Sequence, residues 1–172
     1  MRAITPNNNE KVMKKDDFIV SKTDLQGKIT YCNEIFMNFA GLSEEALLNQ
    51  PHKIVRHPDM PSIIFKLLWE RIKSKKEIFA YVKNMAADGS YYWVYANVTA
   101  SVDDNNNIIG YYSVRRKPND IALTKIKELY KALLEQEKSG GVEASNSYLN
   151  NLLEKESLSY DQFMYSLQHG AA

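Results

Sequence analysis

The sequence predicts an α+β fold: a five-stranded antiparallel sheet with helices covering one face, followed by a C-terminal helical extension. Three observations predict it. Strand-like segments form two groups with turn sequences inside each group, a region of helical periodicity separates the groups, and apolar residues at helical spacing fill the last third of the chain. Strands joined by short turns pair antiparallel, so the intervening helices are expected to cover one face and enclose a pocket.

The first group of strands lies near the N-terminus. Residues 1–15 are polar, with a proline and three consecutive asparagines, and we expect a flexible N-terminal cap there. Residues 18–23 are β-branched and aromatic, and a turn ending in Gly27 leads to a second strand at 29–31. Asn33 then begins a short helix and Ser43 another, because both are preferred N-cap residues.

The second group of strands follows the longest helix of the predicted domain. Residues 62–73 carry apolar side chains at helical spacing. Strands are predicted at 78–82, 91–102 and 108–116, and the dipeptide Asp88-Gly89 is the strongest hairpin signal in the chain.

Residues 119–172 are predicted to be a helical extension. A first amphipathic helix ends at Gly140 and Gly141, and two more apolar helical stretches follow. The sequence leaves two roles open, because these helices could pack on the sheet or bind a partner protein.

Composition excludes several classes of function. Lysine and arginine number 22 against 21 acidic residues, and this balance gives no global field for nucleic acid. The single cysteine, Cys32, excludes an internal disulfide and favours a cytoplasmic location. No apolar stretch approaches the roughly 20 residues that cross a bilayer, so we expect no direct membrane insertion. Without a phosphate loop, a nucleophile elbow or paired carboxylates, we expect no enzyme.

A loop at residues 55–61 is the most informative local feature. It places Arg56, His57 and Asp59 around two prolines, which restrict the backbone. Arginine suits phosphate or carboxylate, and histidine and aspartate add a donor and an acceptor. The loop therefore indicates a ligand site, although Asp59 could instead cap the helix that follows.

Residues 16–118 resemble a PAS domain throughout, in element order and in sequence. Four segments, at 24–33, 50–61, 82–84 and 89–97, are similar to the PAS domains of the Aer energy-taxis receptors. That resemblance implies non-covalent FAD in the pocket. Carried over by position, it implies these cofactor-binding residues: Asn33, Arg56, His57, Asp59, Trp69, Asn84 and Tyr92. One departure from the family is Ile78, where a tryptophan is frequent.

Some of these residues have a plainer interpretation. Trp69 has the spacing of a core residue, and Asn33 has the position of a helix cap. Asn84 is harder to explain structurally, because asparagine is depleted in strands and a buried amide needs partners.

The resulting hypothesis is a cytoplasmic FAD-binding redox sensor for energy taxis. Because the chain shows no anchor, it resembles the bipartite systems in which a soluble PAS protein works with a membrane-bound chemotaxis transducer on a separate chain. The sensor would then sit at the inner membrane only through that partner. Homodimerisation stays open. The alternatives are a cofactor-free PAS interaction adaptor and a haem-binding gas sensor with His52 or His57 as axial ligand.

Overall fold

A five-stranded antiparallel sheet forms the centre of the protein, whose computed structural model describes residues 4–170. Its spatial order is β2-β1-β5-β4-β3. The strands are β1 (Ile19–Thr23), β2 (Ile29–Cys32), β3 (Ile78–Met85), β4 (Tyr91–Val102) and β5 (Ile108–Arg116). The predicted fold class is confirmed, and β3 continues three residues beyond its predicted end at residue 82.

Helices connect β2 to β3 and lie over one face of this sheet, which we call the inner face. They are α1 (Glu34–Ala40), α2 (Glu44–Leu47), a 3₁₀ turn (His52–Val55) and α3 (Ser62–Lys73). The predicted caps begin the first two, because the side chains of Asn33 and Ser43 accept hydrogen bonds from the N–H groups of Phe36 and Ala46.

The alternation of side chains along each strand decides which residues reach the inner face. On β4, Ala96 and Val98 point inward, whereas Trp93 and Tyr95 point to the outer face. Residues of β3 follow the same rule through their pairing with β4, in which Asn84 lies opposite Tyr92.

The C-terminal extension packs on the outer face of the sheet. It consists of α4 (Asp120–Glu156) and α5 (Tyr160–His169), and α4 breaks where Gly140 and Gly141 leave helical geometry. The hydroxyl of Tyr130 donates to the backbone oxygen of Tyr81 at 2.6 Å. Of the two predicted roles, the structure therefore shows packing on the sheet.

The N-terminal segment makes specific contacts although the sequence predicts a flexible cap. The N–H groups of Asn7 and Lys11 donate to the backbone oxygens of Gly89 and Tyr91, each at 2.8 Å. Met13 is buried in the core. Residues 1–3 of the predicted cap, and 171–172 of the extension, lie outside the described residues. Between residues 4 and 170, no helix is long and apolar enough to cross a membrane.

Candidate functional site

A cavity of about 260 Å³ lies between α3 and the inner face of the sheet. This volume is close to the lower end of the range that small-molecule sites occupy, about 300 to 1,000 Å³. The side chains that line it and matter below are Ser21, His52, Arg56, Phe65, Trp69, Val82, Asn84, Ala96, Val98, Tyr111 and Arg115. Most of this wall is apolar or aromatic, with a few polar groups, as is usual where an organic ligand binds.

Helix α3 supplies the aromatic part of the wall. The ring of Trp69 meets that of Tyr111 edge-on, with 5.4 Å between their centroids and 88° between their planes. Trp69 is partly buried and packs against the core while it lines the cavity. It therefore serves as core and cavity wall together.

Arg56 lies at the edge of the cavity because its loop runs along strand β3. Its backbone forms an isolated antiparallel bridge with Asn84, which itself lines the cavity and is only 4% exposed. The guanidinium carbon lies 3.7 Å from the ring centroid of Phe65. Burial lowers the pKa of Arg56, and the carboxylate of Glu137 opposes that shift. The loop and the edge strand thus bring a cation and an amide together.

His57 and Asp59 lie on the other side of the same loop and do not line the cavity. Successive side chains of an extended backbone point in opposite directions, so His57 faces away from the side that Arg56 takes. The N–H of Asp59 donates to His57 Nδ1 at 3.1 Å, and Lys83 Nζ lies 2.7 Å from Asp59 Oδ2. These contacts fasten the loop to β3. Asp59 does not cap α3, whose N-cap residue is Pro61.

Asn33 has the geometry of a structural cap. Its Oδ1 accepts from the N–H groups of Val20 and Phe36 at 3.0 and 3.1 Å, and its Nδ2 donates to the backbone oxygen of Phe18 at 2.7 Å. All of its side-chain polar atoms are thereby engaged in joining α1 to β1. It is outside the cavity lining.

Tyr92 lies deeper on the inner face of β4. Its ring packs against Phe39, with 5.2 Å between centroids. Its hydroxyl is buried without a hydrogen-bond partner among residues 4–170, and burial raises its pKa. Such an orphaned hydroxyl is uncommon in a folded protein.

Sequence reasoning missed the most polar part of the cavity, a cluster of Ser21, His52 and Arg115. Arg115 is 2% exposed, and its Nη2 donates to Ser21 Oγ at 2.5 Å. Ser21 Oγ also lies 3.1 Å from His52 Nε2. The guanidinium carbon of Arg115 is 4.4 Å from the ring centroid of Phe36, and His52 stacks on that ring at 5.6 Å.

The charge state of this cluster follows from its burial. Burial lowers the pKa of His52 to about 3, and the positive charge of Arg115 adds to the shift. Burial also lowers the pKa of Arg115 to about 10. At neutral pH the cluster therefore holds one positive charge on arginine and a neutral imidazole.

Arg115 has unused donors in this position. Its Nε and Nη1 are buried without partners among the described residues, and none of their carboxylates forms a salt bridge with it. A buried cation without a counter-charge is costly unless something else satisfies it. The cluster is thus suited to an acceptor-rich or anionic group. One signal in the sequence was available: Tyr111, Ser113 and Arg115 share the inner face of a predicted strand.

Comparisons with known proteins support the fold described above. A family profile described as "PAS fold" matches residues 29–115. The aerotaxis receptor of Escherichia coli (strain K12) is 39% identical over 118 residues, which are 69% of this chain and 23% of the receptor. The chain therefore spans about a quarter of the length of that relative.

Solved structures with a similar fold are more distant in sequence. The PAS domain of a protein from Colwellia psychrerythraea has a TM-score of 0.54 at 20% identity, over 58% of this chain and 85% of that one. The dark structure of the blue-light photoreceptor Aureochrome1 LOV has a TM-score of 0.54 at 20% identity, over 70% of this chain and 84% of that one. At this identity they support the fold alone.

Proposed function

The chain belongs to the PAS fold family, and from this premise we propose that it is a redox sensor holding FAD in the cavity beneath α3. The observation that carries the proposal is Arg115, a buried guanidinium in the cavity wall with two nitrogen atoms that have no partner among the described residues. A flavin ring offers carbonyl and ring-nitrogen acceptors on an otherwise flat aromatic surface. It would satisfy these donors while filling an aromatic cavity.

The remaining polar groups fit the other parts of FAD. Asn84 offers an amide, which presents both a donor and an acceptor to the ring edge. Arg56 lies at the edge of the cavity, and its planar fork suits a diphosphate. Trp69 would contribute apolar contact from α3. Tyr92 is outside the cavity lining and would act through its packing against Phe39.

Three other proposed residues would also act indirectly. His57 and Asp59 fasten the loop that carries Arg56, through Lys83 and the edge of β3. Asn33 positions α1, which places Phe36 beneath the guanidinium of Arg115. We propose that these residues support flavin binding by holding the residues that touch it.

FAD would supply reversible electron uptake, which changes the charge and the hydrogen-bonding pattern of its ring. The protein's part is to respond to that change. The Asn84 amide would reorient to present donor or acceptor, and Arg115 would balance added negative charge. Asn84 lies in β3, whose backbone accepts hydrogen bonds from Tyr130 and Tyr160 of the C-terminal extension, so a local change there has a route to the surface.

The relation to an aerotaxis receptor supports a role in energy taxis. The similarity to an aerotaxis receptor supports a link to chemotaxis signalling, and we propose that the signal passes to a membrane-bound chemotaxis transducer on a separate chain. Its binding surface would be formed by the PAS domain and the extension together, at the cytoplasmic side of the membrane.

Haem is a weaker occupant on geometric grounds. His52 Nε2 is already engaged with Ser21 Oγ, and the ring stacks on Phe36. His57 lies outside the cavity lining. To act as an axial ligand through Nε2, His52 would have to give up its contact with Ser21, and His57 would have to enter a cavity that it does not line.

An absorption spectrum of the purified full chain tests the proposal. We expect flavin bands in the blue and near-ultraviolet, loss of those bands on anaerobic reduction, and FAD as the compound released on denaturation. A haem Soret band would replace the proposal with a gas sensor. No chromophore, together with no uptake of added FAD, would favour the cofactor-free adaptor.

A further inference from the structure

Helix α3 receives its N-terminal cap from the C-terminal extension. Its own N-cap residue, Pro61, has no side chain that can accept a hydrogen bond. Instead, the carboxylate of Glu137 accepts from the N–H groups of Ser62 at 3.0 Å and Ile63 at 2.9 Å. A carboxylate at this position satisfies two donors that the helix leaves open and is favoured by the helix dipole.

The extension is shaped to hold Glu137 in this place. Three residues further on, the backbone of α4 turns at Gly140 and Gly141, where Gly141 has φ of 69°. The turn brings the buried Ser145 back to Glu137. Its hydroxyl lies 3.2 Å from Glu137 Oε1 and 2.9 Å from the backbone oxygen of Val142, and these two acceptors share its single proton. The carboxylate is therefore held by both halves of α4 as well as by α3.

The other polar contacts between α3 and the extension are weaker candidates for this role. Lys66 pairs with Glu143, and Arg71 pairs with Asp161, but each acidic partner is more than half exposed. Exposed pairs contribute little to stability. Glu137 is partly buried and joins backbone donors that have no alternative partner in the described part of the chain.

We infer that Glu137 is a latch, by which docking of the extension and order in the first turn of α3 form one coupled equilibrium. Helix α3 carries Phe65 and Trp69 of the cavity wall, so the latch joins the cavity to the extension. The coupling is reciprocal. A change that disorders the first turn of α3 weakens docking of the extension, and a change that weakens docking of the extension disorders the first turn of α3.

Arg56 links this latch to the contents of the cavity. It lines the cavity, and its guanidinium carbon lies 3.7 Å from the ring centroid of Phe65 in the first turn of α3, the turn that Glu137 caps. The negative charge of Glu137 also opposes the lowering of the Arg56 pKa. An anionic group that approaches Arg56 therefore competes with Glu137 for positive charge. This last link rests on the proposed flavin function, whereas the latch itself does not.

Hydrogen exchange on the full chain without added cofactor tests the latch. We expect Glu137→Ala to raise exchange of the Ser62 and Ile63 amides and of residues 142–169 on the order of 5- to 10-fold, the effect that loss of an N-cap has on a helix. The strand β4 should keep its protection. Glu135→Ala is the matched control, because Glu135 is exposed on the same helix and, among residues 4–170, forms a salt bridge with Lys138 alone.

A second variant changes the α3 side of the contact with Glu137. Ser62→Pro removes one of the two N–H groups at a position where proline is well tolerated in a helix, and Pro61 already has the extended geometry that a following proline requires. It should raise exchange in residues 142–169 although it changes nothing in the extension. Combined with Glu137→Ala, it should add little further effect.

Unchanged exchange of the extension in either single variant would refute the latch. An equal loss of protection in β4 would refute it as well, because the substitutions at Glu137 and Ser62 would then lower the stability of the whole protein. A third arm adds FAD to the wild-type chain, and raised exchange of residues 142–169 supports the link through Arg56. If the chain binds no flavin, the first two arms still decide the latch.

Discussion

Arg115 is the residue whose position is hardest to explain without a ligand. A guanidinium stays charged when it is buried. The guanidinium of Arg115 contacts the ring of Phe36 and the hydroxyl of Ser21, and two of its nitrogen atoms lack partners among the residues described. Folding alone gives no reason for this arrangement, because an apolar residue of similar size would stabilise the same site better. We therefore propose that its explanation is the ligand of the cavity.

Replacing Arg115 by methionine should separate binding from folding. We expect FAD affinity to fall by about 10- to 100-fold, since a hydrogen bond to a charged group contributes about 1.5 to 3 kcal/mol. The thermal stability of the cofactor-free protein should stay the same or rise, because a buried unpaired charge is removed. Titration of FAD and a thermal melt measure the two effects.

Arg116→Met is the control for this variant, since Arg116 is the exposed neighbour on the same strand. It should leave both quantities near wild type. An Arg115→Met protein that is less stable but binds FAD normally would show that Arg115 serves the fold.

His52 should make the protein sensitive to acid. Its pKa is about 3 in the folded chain, below the ordinary value of 6.5, so the unfolded state takes up a proton first as the pH falls. The stabilisation from the neutral imidazole is complete above pH 6.5 and is lost between pH 6.5 and 3. Melting temperatures of cofactor-free protein across this interval, compared with His52→Gln, isolate the effect from titrating carboxylates.

In that comparison the wild type should lose stability more steeply than His52→Gln as the pH is lowered. Parallel curves would mean that His52 contributes nothing to the pH dependence.

At the scale of elements, the loop before α3 shows how strand pairing sorts neighbouring side chains. Because this loop bridges to the edge strand β3 at Asn84, Arg56 faces the cavity while His57 and Asp59 face Lys83. Residues that are adjacent in the sequence are thus divided between the two sides of the loop, one facing the cavity and the other facing away from it.

Because of this division, we expect substitutions in the loop to weaken FAD binding to different degrees. Arg56→Gln should weaken FAD binding by roughly 10-fold, because it removes a charge-assisted contact. Asp59→Asn should have a smaller effect, since Asp59 is exposed and its carboxylate contacts Lys83 and His57 outside the cavity. Equilibrium titrations of FAD into both variants measure the ranking, and an Asp59→Asn defect as large as that of Arg56→Gln would contradict it.

Local signals in the sequence predicted the elements more fully than the site. The strands at 91–102 and 108–116 were predicted with their observed bounds, because turn residues delimit them on both sides. Arg56, Trp69 and Asn84, which the family resemblance implies as cofactor-binding residues, line the cavity, and their contact with a cofactor stays a prediction. The cluster of Ser21, His52 and Arg115 was not predicted, because β1, a 3₁₀ turn and β5 bring it together from across the chain.

The whole molecule places the cavity and the C-terminal extension on opposite faces of one sheet. Tyr160 donates to the backbone oxygen of Phe79 at 3.0 Å, and Gln168 accepts from the hydroxyl of Tyr81 at 3.0 Å. Strand β3 thus contacts the extension on its outer face and lines the cavity on its inner face. A structural change in the cavity can therefore reach the extension through β3, and a change in the extension can reach the cavity.

Deleting residues 141–172 should destabilise the protein. The deletion removes these buried side chains: Leu149, Leu153, Tyr160, Met164 and Leu167. We expect the melting temperature to fall by roughly 5 °C or more, because apolar surface on the sheet becomes exposed. Tyr165→Ala, which changes an exposed residue of α5, is the control. A truncated protein that melts like the wild type would show that the extension serves only partners.

The central claim, that flavin occupies the cavity beneath α3, is tested most directly by filling that cavity. Ala96 points into it from β4, and leucine at this position would take up the space of the ligand while adding apolar contact. Thr99→Leu, on the outer face of the same strand, is the control. We predict that Ala96→Leu folds with a normal melting profile and retains less than about a tenth of the wild-type flavin per protein after saturation with FAD, as its affinity falls by well over 10-fold. Full flavin occupancy in a folded Ala96→Leu protein would place the flavin elsewhere and contradict the account.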